Sequence, residues 1–305
     1  MKQKHFIFTD CDLDGAGCYM MWPWFLGTYP DRITTRVNDF EKSWKQWIAK
    51  GNLNKYDRIF ITDLDISRID CLDLVDIEKV TVIDHHKSHV DNKHKYKNAT
   101  TYIKTETSCS KIVYNLFKKT GKKLDANKKF LISLIDDYDS YKLSIPYSYH
   151  LNLLFWNYQG DRLKQFINDY KYGFEPFTDD QKKIISFYLK KLKNIKRDLD
   201  VHWAHLPVGD DTYKFVSVFA TECINEIADH IINNYKADIG IVINCNSSKV
   251  SLRRSKNSQI KLNDLASQLF DEGGGHEEAA GGILCDKFLK FSKSFAPMKI
   301  KLGSS

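Results

Sequence analysis

Three short apolar runs in this chain each end in aspartate, and that repeated junction constrains the fold more than any other feature. The first is Phe6-Ile7-Phe8-Thr9 leading into Asp10-Cys11-Asp12-Leu13-Asp14-Gly15, and the second is Ile59-Phe60-Ile61-Thr62 leading into Asp63-Leu64-Asp65. The third, Val80-Thr81-Val82-Ile83, runs into Asp84-His85-His86. Runs rich in β-branched and aromatic residues without polar alternation are the signal of parallel strands buried on both faces. Open α/β sheets bind ligands just beyond the carboxyl ends of such strands, so several carboxylates and two imidazoles are expected in one crevice. Crowded carboxylates repel one another unless a cation neutralises them. Oxygen ligands joined by histidine suit Mn²⁺, Mg²⁺ or a related ion, and a cluster of this size suits two.

The Asp-x-Asp-x-Asp-Gly run alone also matches the start of a calcium loop. Met21 stands at the twelfth position counted from Asp10, where an EF-hand needs a bidentate Glu, so that reading fails. The seven cysteines are scattered, with no Cys-x-x-Cys pair, which argues against a disulfide framework or a zinc ribbon. A net charge of +7 is compatible with polyanionic substrates without being a strong nucleic-acid footprint. No apolar stretch is long enough to span a bilayer, and the chain opens into a strand without a signal-peptide core, so a cytoplasmic location with no membrane partner is expected.

Strand and helix patterns alternate through the first half. Helices are expected over 17–26, over 39–50 with Asp39 as N-cap and Gly51 as stop, over 108–119, and from 126 into Asp136-Asp137-Tyr138-Asp139. The segment 151–205 reads as a helical connector. After the turn cluster at 207–211 a second α/β unit is expected, with strands at 214–219, 239–243 and 250–252 and helices at 222–235 and 262–270. The expected architecture is α/β and two-lobed. A doubly wound, mostly parallel sheet fills 1–150, the connector follows, and a smaller α/β domain occupies 206–305.

These motifs together resemble the DHH phosphoesterases of the DHH–DHHA1 subfamily, which includes RecJ-type exonucleases, nanoRNases and cyclic-dinucleotide phosphodiesterases. The resemblance rests on residues 10–15, 62–65, 84–86 and 136–141, on Gly273-Gly274-Gly275-His276 with Ala279-Ala280-Gly281, and on Arg253 in the run 250–255. It implies two metal ions, Mn²⁺ first with Mg²⁺ or Co²⁺ as alternatives, held by Asp10, Asp12, Asp14, Asp63, His85 and Asp137, with Asp63 bridging. Asp136 and Asp139 are the alternatives to Asp137 as the ligand from the fourth motif. Some members carry a histidine where this chain has Phe8, and Asp10 matches the three-aspartate form instead. Asp84, His85 and His86 form the implied catalytic triplet, with His86 orienting neighbours or donating to the leaving oxygen. Arg253, Ser255, Gly274, Gly275 and His276 form the implied substrate clamp, in which glycines admit phosphate to the backbone and arginine supplies a planar fork.

The implied activity is hydrolysis of short oligonucleotides to nucleoside 5′-monophosphates by water activated between two metals. Alternatives are a phosphodiesterase of cyclic or linear dinucleotides, a RecJ-like single-strand DNA exonuclease, and an inactive nucleic-acid-binding scaffold. Substrate partners would be short single-stranded RNA or DNA, or dinucleotides. The oligomeric state stays open, with a homodimer as one form.

Overall fold

The computed structural model describes residues 3–67, 69–275 and 277–284. The chain divides between Tyr188 and Leu189 into two compact units. The first holds a five-stranded sheet of β1 (His5–Thr9), β2 (Asp31–Thr34), β3 (Arg58–Thr62), β4 (Val80–Asp84) and β5 (Thr100–Ile103). All four strand pairings are parallel, in the order β2-β1-β3-β4-β5. That order reverses direction between β1 and β3. In doubly wound sheets the crevice opens at such a reversal, beyond the strands' carboxyl ends.

Alternate side chains of β1, β3 and β4 enter cores on the two faces. On one face Phe6, Phe8, Ile59, Ile61, Val80 and Val82 pack with Phe40, Trp44 and Trp47 of α3 (Val37–Ala49). The spacing of those three rings, i, i+4 and i+7, places them on one helical stripe. The other face packs Ile83 with Cys18 of α1 (Leu13–Met20), Phe25 of α2 (Trp22–Leu26), Cys109 and Ile112 of α6 (Cys109–Lys118) and Ile132 of α7 (Ala126–Asp139). Between α3 and α6 lie α4 (Leu72–Val75) and α5 (Lys87–Asn92).

Two local expectations change. The helix expected over 17–26 starts instead at Leu13, capped by Asp12, and gives way at Met21 to α2, which carries Pro23 in its first turn. Proline has no N–H to continue the ladder of α1. Arg36 rather than Asp39 occupies the N-cap of α3; Asp39 lies in the first turn, where its charge complements the helix dipole.

The helices α8 (Pro146–Asn157) and α9 (Arg162–Tyr170) belong to the first unit, α8 packing on α7 and α9 on α8 and α1. The unit boundary falls within α10 (Asp179–Arg197). Among the described residues of the second unit six strands are ordered β10-β11-β9-β8-β7-β6. They are β6 (Val201–Val208), β7 (Asp211–Phe219), β8 (Ile239–Asn244), β9 (Lys249–Arg254), β10 (Asp271–Gly275) and β11 (Ala279–Ile283). Only β7 and β8 pair in parallel. Helices α11 (Ile224–Tyr235) and α12 (Leu262–Leu269) complete it, and Leu262, Leu265 and Ala266 of α12 pack on Ile239, Val250 and Leu252.

Candidate metal centre at the carboxyl ends of β1, β3 and β4

Buried hydroxyls tie the strand ends together. Thr62 Oγ1 donates to Thr9 Oγ1 at 2.9 Å, and Thr9 Oγ1 donates to the Gly15 carbonyl at 2.9 Å. From that anchor the chain turns into α1, with Asp12 Oδ1 accepting the Gly15 N–H at 2.9 Å. A Cβ on Gly15 would lie 2.4 Å from the Asp10 carbonyl oxygen, so the turn requires glycine. Asp14 accepts the N–H groups of Cys109 at 2.6 Å and Ser110 at 3.0 Å, fastening α1 to the start of α6.

Asp63 follows β3 directly in a left-handed conformation, φ 59°, unusual for a residue with a side chain. Such strain persists where surrounding structure enforces it, often at functional sites. Its Oδ1 lies 3.3 Å from His85 Nε2, and its Oδ2 is buried without a hydrogen-bond partner. Asp139, the last residue of α7, places Oδ2 3.5 Å from the same His85 nitrogen, and that oxygen is likewise buried without a hydrogen-bond partner. Ligand-capable atoms of Asp14, His85 and Asp139 lie within 4.8 Å of one another, as do those of Asp63, Asp84, His85 and His86.

The electrostatics follow from this crowding. Burial, then the charges of Asp12, Asp14 and Asp139, push the Asp63 carboxyl well above the usual range. Burial followed by Asp14 and Asp12 does the same to Asp139, and burial followed by Asp14 raises Asp12. Asp10 is pushed up to about 6 by burial and Asp12, and Asp14 to about 6 by burial. Burial, then His86, lowers His85 to about 4, so its imidazole is neutral near pH 7. Neutral imidazole beside mutually repelling carboxylates, with two orphaned buried oxygens, is a donor set that fits divalent cations.

Asp84 lies within the cluster, whereas Asp137 takes another place than the one expected of it. Asp84 is fully buried and brackets two imidazoles, with Oδ1 2.9 Å from His86 Nδ1 and Oδ2 2.7 Å from His89 Nδ1. Its position suits orienting His86. Burial would lower His86, but the charge and hydrogen bond of Asp84 outweigh it and raise His86 to about 10. Asp137 is turned away from the cluster. Its two oxygens accept from Ser144 N at 3.0 Å, Ser144 Oγ, Ile145 N at 3.1 Å and Ser148 Oγ at 2.6 Å, pinning the start of α8. Residues two apart on a helix point about 200° apart, so Asp139 faces the centre when Asp137 faces α8. Asp136 accepts the Ser108 N–H at 2.9 Å.

Residues to which the sequence assigned no role lie behind Asp84. His89 is buried, and its Nε2 lies 2.7 Å from the Tyr96 hydroxyl. Asp65 accepts from Ser67 N at 3.1 Å, from Ser67 Oγ and from Ser88 Oγ, and lies 3.7 Å from His89 Nδ1. The available signal was the spacing of His89 three residues beyond His86 on α5, which turns it back toward the strand end.

In the second unit, Arg253 on β9 lies opposite Ala279 of β11, its Nε 3.9 Å from Asp229 Oδ1. Arg254 is committed to the Ser258 carbonyl and to Glu278 Oε1, 3.1 Å away. The Ser255 N–H donates to the Asp238 carbonyl. Gly274 and Gly275 pair with Gly281 and Ala280, so the run expected as a phosphate-binding loop enters a strand. His276 lies outside the described residues. A Cβ on Gly273 would come 1.9 Å from the Ala266 carbonyl oxygen, so glycine there serves packing against α12.

Residues 4–135 match the DHH family N-terminal domain and residues 212–296 match the DHHA1 domain. The chain belongs to the DHH–DHHA1 phosphoesterases. No curated protein matches it in sequence. Among solved structures it is similar to the pGpG-specific phosphodiesterase PggH from Vibrio cholerae, with 14% identity and a TM-score of 0.58 over 96% of this chain and 97% of that one. RecJ from Thermus thermophilus in complex with Mn²⁺ gives 12% identity and a TM-score of 0.60 over 96% of this chain and 51% of RecJ. CDC45 from Entamoeba histolytica gives 11% and 0.52 over 96% and 94%. At these identities the likeness concerns the fold. Among the described residues no helix is long and apolar enough to cross a membrane.

Proposed function

We propose that the protein is a divalent-metal-dependent phosphodiesterase that hydrolyses short oligonucleotides to nucleoside 5′-monophosphates. One observation carries the reading: Asp63 Oδ2 and Asp139 Oδ2 are buried without donors, around a neutral His85, at the reversal of strand order. Asp10, Asp12, Asp14, Asp63, His85 and Asp139 would hold the ions, Asp139 replacing Asp137 in the set implied by resemblance. When bound, such ions polarise phosphoryl oxygens and lower the pKa of water. Mn²⁺ is the first choice of ion, since a mixed carboxylate and imidazole set suits it.

The chain's own residues then have separable tasks. The low proton affinity of His85 keeps its Nε2 lone pair available. Asp84, itself held by His89, fixes the ring of His86, which would place positive charge near the oxygen that leaves phosphorus. In the second unit Arg253, Ser255, Gly274, Gly275 and His276 are the groups assigned to the substrate's terminal phosphate or nucleotide, with arginine as the bidentate donor. The resemblance of the motifs to nucleic-acid phosphoesterases supports a nucleotide substrate, and the mildly basic chain suits a polyanion.

The test is digestion in Mn²⁺ of 5′-labelled RNA and DNA from two to about twenty-four nucleotides, beside cyclic and linear dinucleotides, with His85→Ala as control. Rapid loss of the shortest strands, absent in the variant, is expected. Selective cleavage of a cyclic or linear dinucleotide would replace the oligonucleotide reading with a signalling one, and binding without hydrolysis of any of them would replace it with a scaffold.

A further inference from the structure

On the sheet face turned away from α3, a cavity of about 340 Å³ lies between β3, β4 and β5 and the helices α2 and α6. Its volume falls at the lower end of small-molecule pockets, about 300–1,000 Å³. The lining shares no residue with the aspartate centre and contains no carboxylate. Parallel sheets ordinarily bury both faces under helices. Here Phe60 is only partly buried and Tyr102 is exposed, so the cover on this face is incomplete.

The polar end of the cavity has donors without acceptors. Side chains alternate along β4, so Val80 and Val82 enter the α3 core while Thr81 and Ile83 line the cavity. Thr81 is 7% exposed, and its hydroxyl forms no hydrogen bond among the described residues. Buried hydroxyls are ordinarily paired, so this one calls for a partner from outside the chain. Thr100 stands opposite Thr81 on β5 and adds a second hydroxyl to the lining. Arg58 and Lys119 are its cations, and neither forms an ion pair with a carboxylate among the described residues. Arg58 Nη1 donates to the Glu78 carbonyl at 2.9 Å, which leaves its charge uncompensated. The adjacent Asp57 accepts the Lys4 N–H at 2.7 Å.

The other end is aromatic. The Trp22 ring lies 4.5 Å from that of Phe60 and 5.2 Å from that of Phe117, at 64° and 87°. Val113 and Leu116 of α6 extend this wall. Rings set steeply to one another offer both faces and edges to a further flat ring.

We propose that this cavity binds a small aromatic carboxylate, its ring among Trp22, Phe60 and Phe117 and its carboxylate accepting from the Thr81 and Thr100 hydroxyls beside Arg58 and Lys119. A carboxylate supplies what this lining lacks, an acceptor for the hydroxyls and a negative charge for the two cations. The site goes beyond phosphodiester hydrolysis and requires neither metal nor turnover.

Isothermal titration calorimetry of the chelator-treated full chain tests it, with 2-naphthoate as probe, 2-naphthalenemethanol as its neutral counterpart and octanoate as a carboxylate without a ring. Chelation keeps the probe from binding through a metal. One equivalent of 2-naphthoate should bind about 10-fold or more tighter than the alcohol, the scale of a charged hydrogen bond, and tighter than octanoate. Thr81→Val should weaken 2-naphthoate by about 5- to 10-fold, and Arg58→Gln with Lys119→Gln should abolish the preference over the alcohol. Without ligand, Thr81→Val should unfold in urea no earlier than wild type, because it removes an unpaired hydroxyl and keeps the shape. Loss of stability in Thr81→Val would make the hydroxyl structural and overturn its role. No saturable binding of 2-naphthoate, or equal binding by wild type and both variants, overturns the site. Octanoate binding as tightly as 2-naphthoate overturns the aromatic assignment.

Discussion

Two buried aspartates in the first unit have opposite surroundings. Asp76, just after α4, accepts the N–H groups of Lys97 at 2.8 Å, Asn98 at 2.9 Å and Ala99 at 2.7 Å, closing the turn that leads into β5. Burial would raise its carboxyl, but those three N–H groups outweigh it and hold it below the usual range. Asp63 is also buried, yet its Oδ2 has no donor and three other aspartates raise it. Burial alone therefore says little about what an aspartate does. Donor supply separates the structural carboxylate, satisfied by backbone, from one left for a ligand the chain does not itself provide.

The largest expected effect tests the ligand side. Asp63→Asn should lower Mn²⁺-dependent hydrolysis by at least about 10²- to 10³-fold, the cost of losing one preorganised charge-stabilising group. The same substitution should leave the metal-free protein at least as stable in urea as wild type, because it removes a source of repulsion. A large loss of stability would place Asp63 in the same class as Asp76.

A smaller effect tests the structural side. Asp76→Ala should destabilise the chain by about 1–3 kcal/mol in urea unfolding, through amides left unsatisfied, with activity per folded molecule retained. Asp137→Ala should behave like Asp76→Ala, since Ser144, Ile145 and Ser148 lose their acceptor. An activity loss matching that of Asp63→Asn would return Asp137 to the centre.

The smallest effect is in the pH dependence of unfolding, where the two regions act with opposite sign. Asp10 and Asp14, near 6 when folded, and Asp63 and Asp139, also raised, bind more protons in the folded state than in the unfolded one. Their contribution weakens chelator-treated protein as pH rises from about 4, the unfolded value, to 6 and beyond. Asp76 and Asp137, both lowered, contribute stability above about 4 that is lost as pH falls through their folded values. Urea midpoints measured between pH 4 and 8 should decline with pH in chelator and flatten in Mn²⁺. Identical slopes in the two conditions would break the comparison.

The legible parts of the fold were those with one physical solution. β1, β3 and β4 are covered on both faces, so their sequences are continuous apolar runs. β2 and β5 are edges only four residues long, with mixed burial, and β6 carries Pro207 in a largely exposed edge strand; none gives a periodic signal. Glycine at 273–275 reads as a loop in one dimension, because only the approach of α12 explains it as strand.

The aspartate-rich junctions were equally plain, but their division of labour was not. Three aspartates in 136–139 are equivalent on paper, and only the rotation of α7 turns Asp139 toward His85 and Asp137 toward α8.

The sequence by itself determined a parallel sheet with carboxylates and imidazoles at its strand ends, because strand periodicity and buried apolar runs are local properties. Tertiary structure decided which of those carboxylates have donors and which have none, because hydrogen bonds such as those from Lys97–Ala99 to Asp76 come from distant parts of the chain.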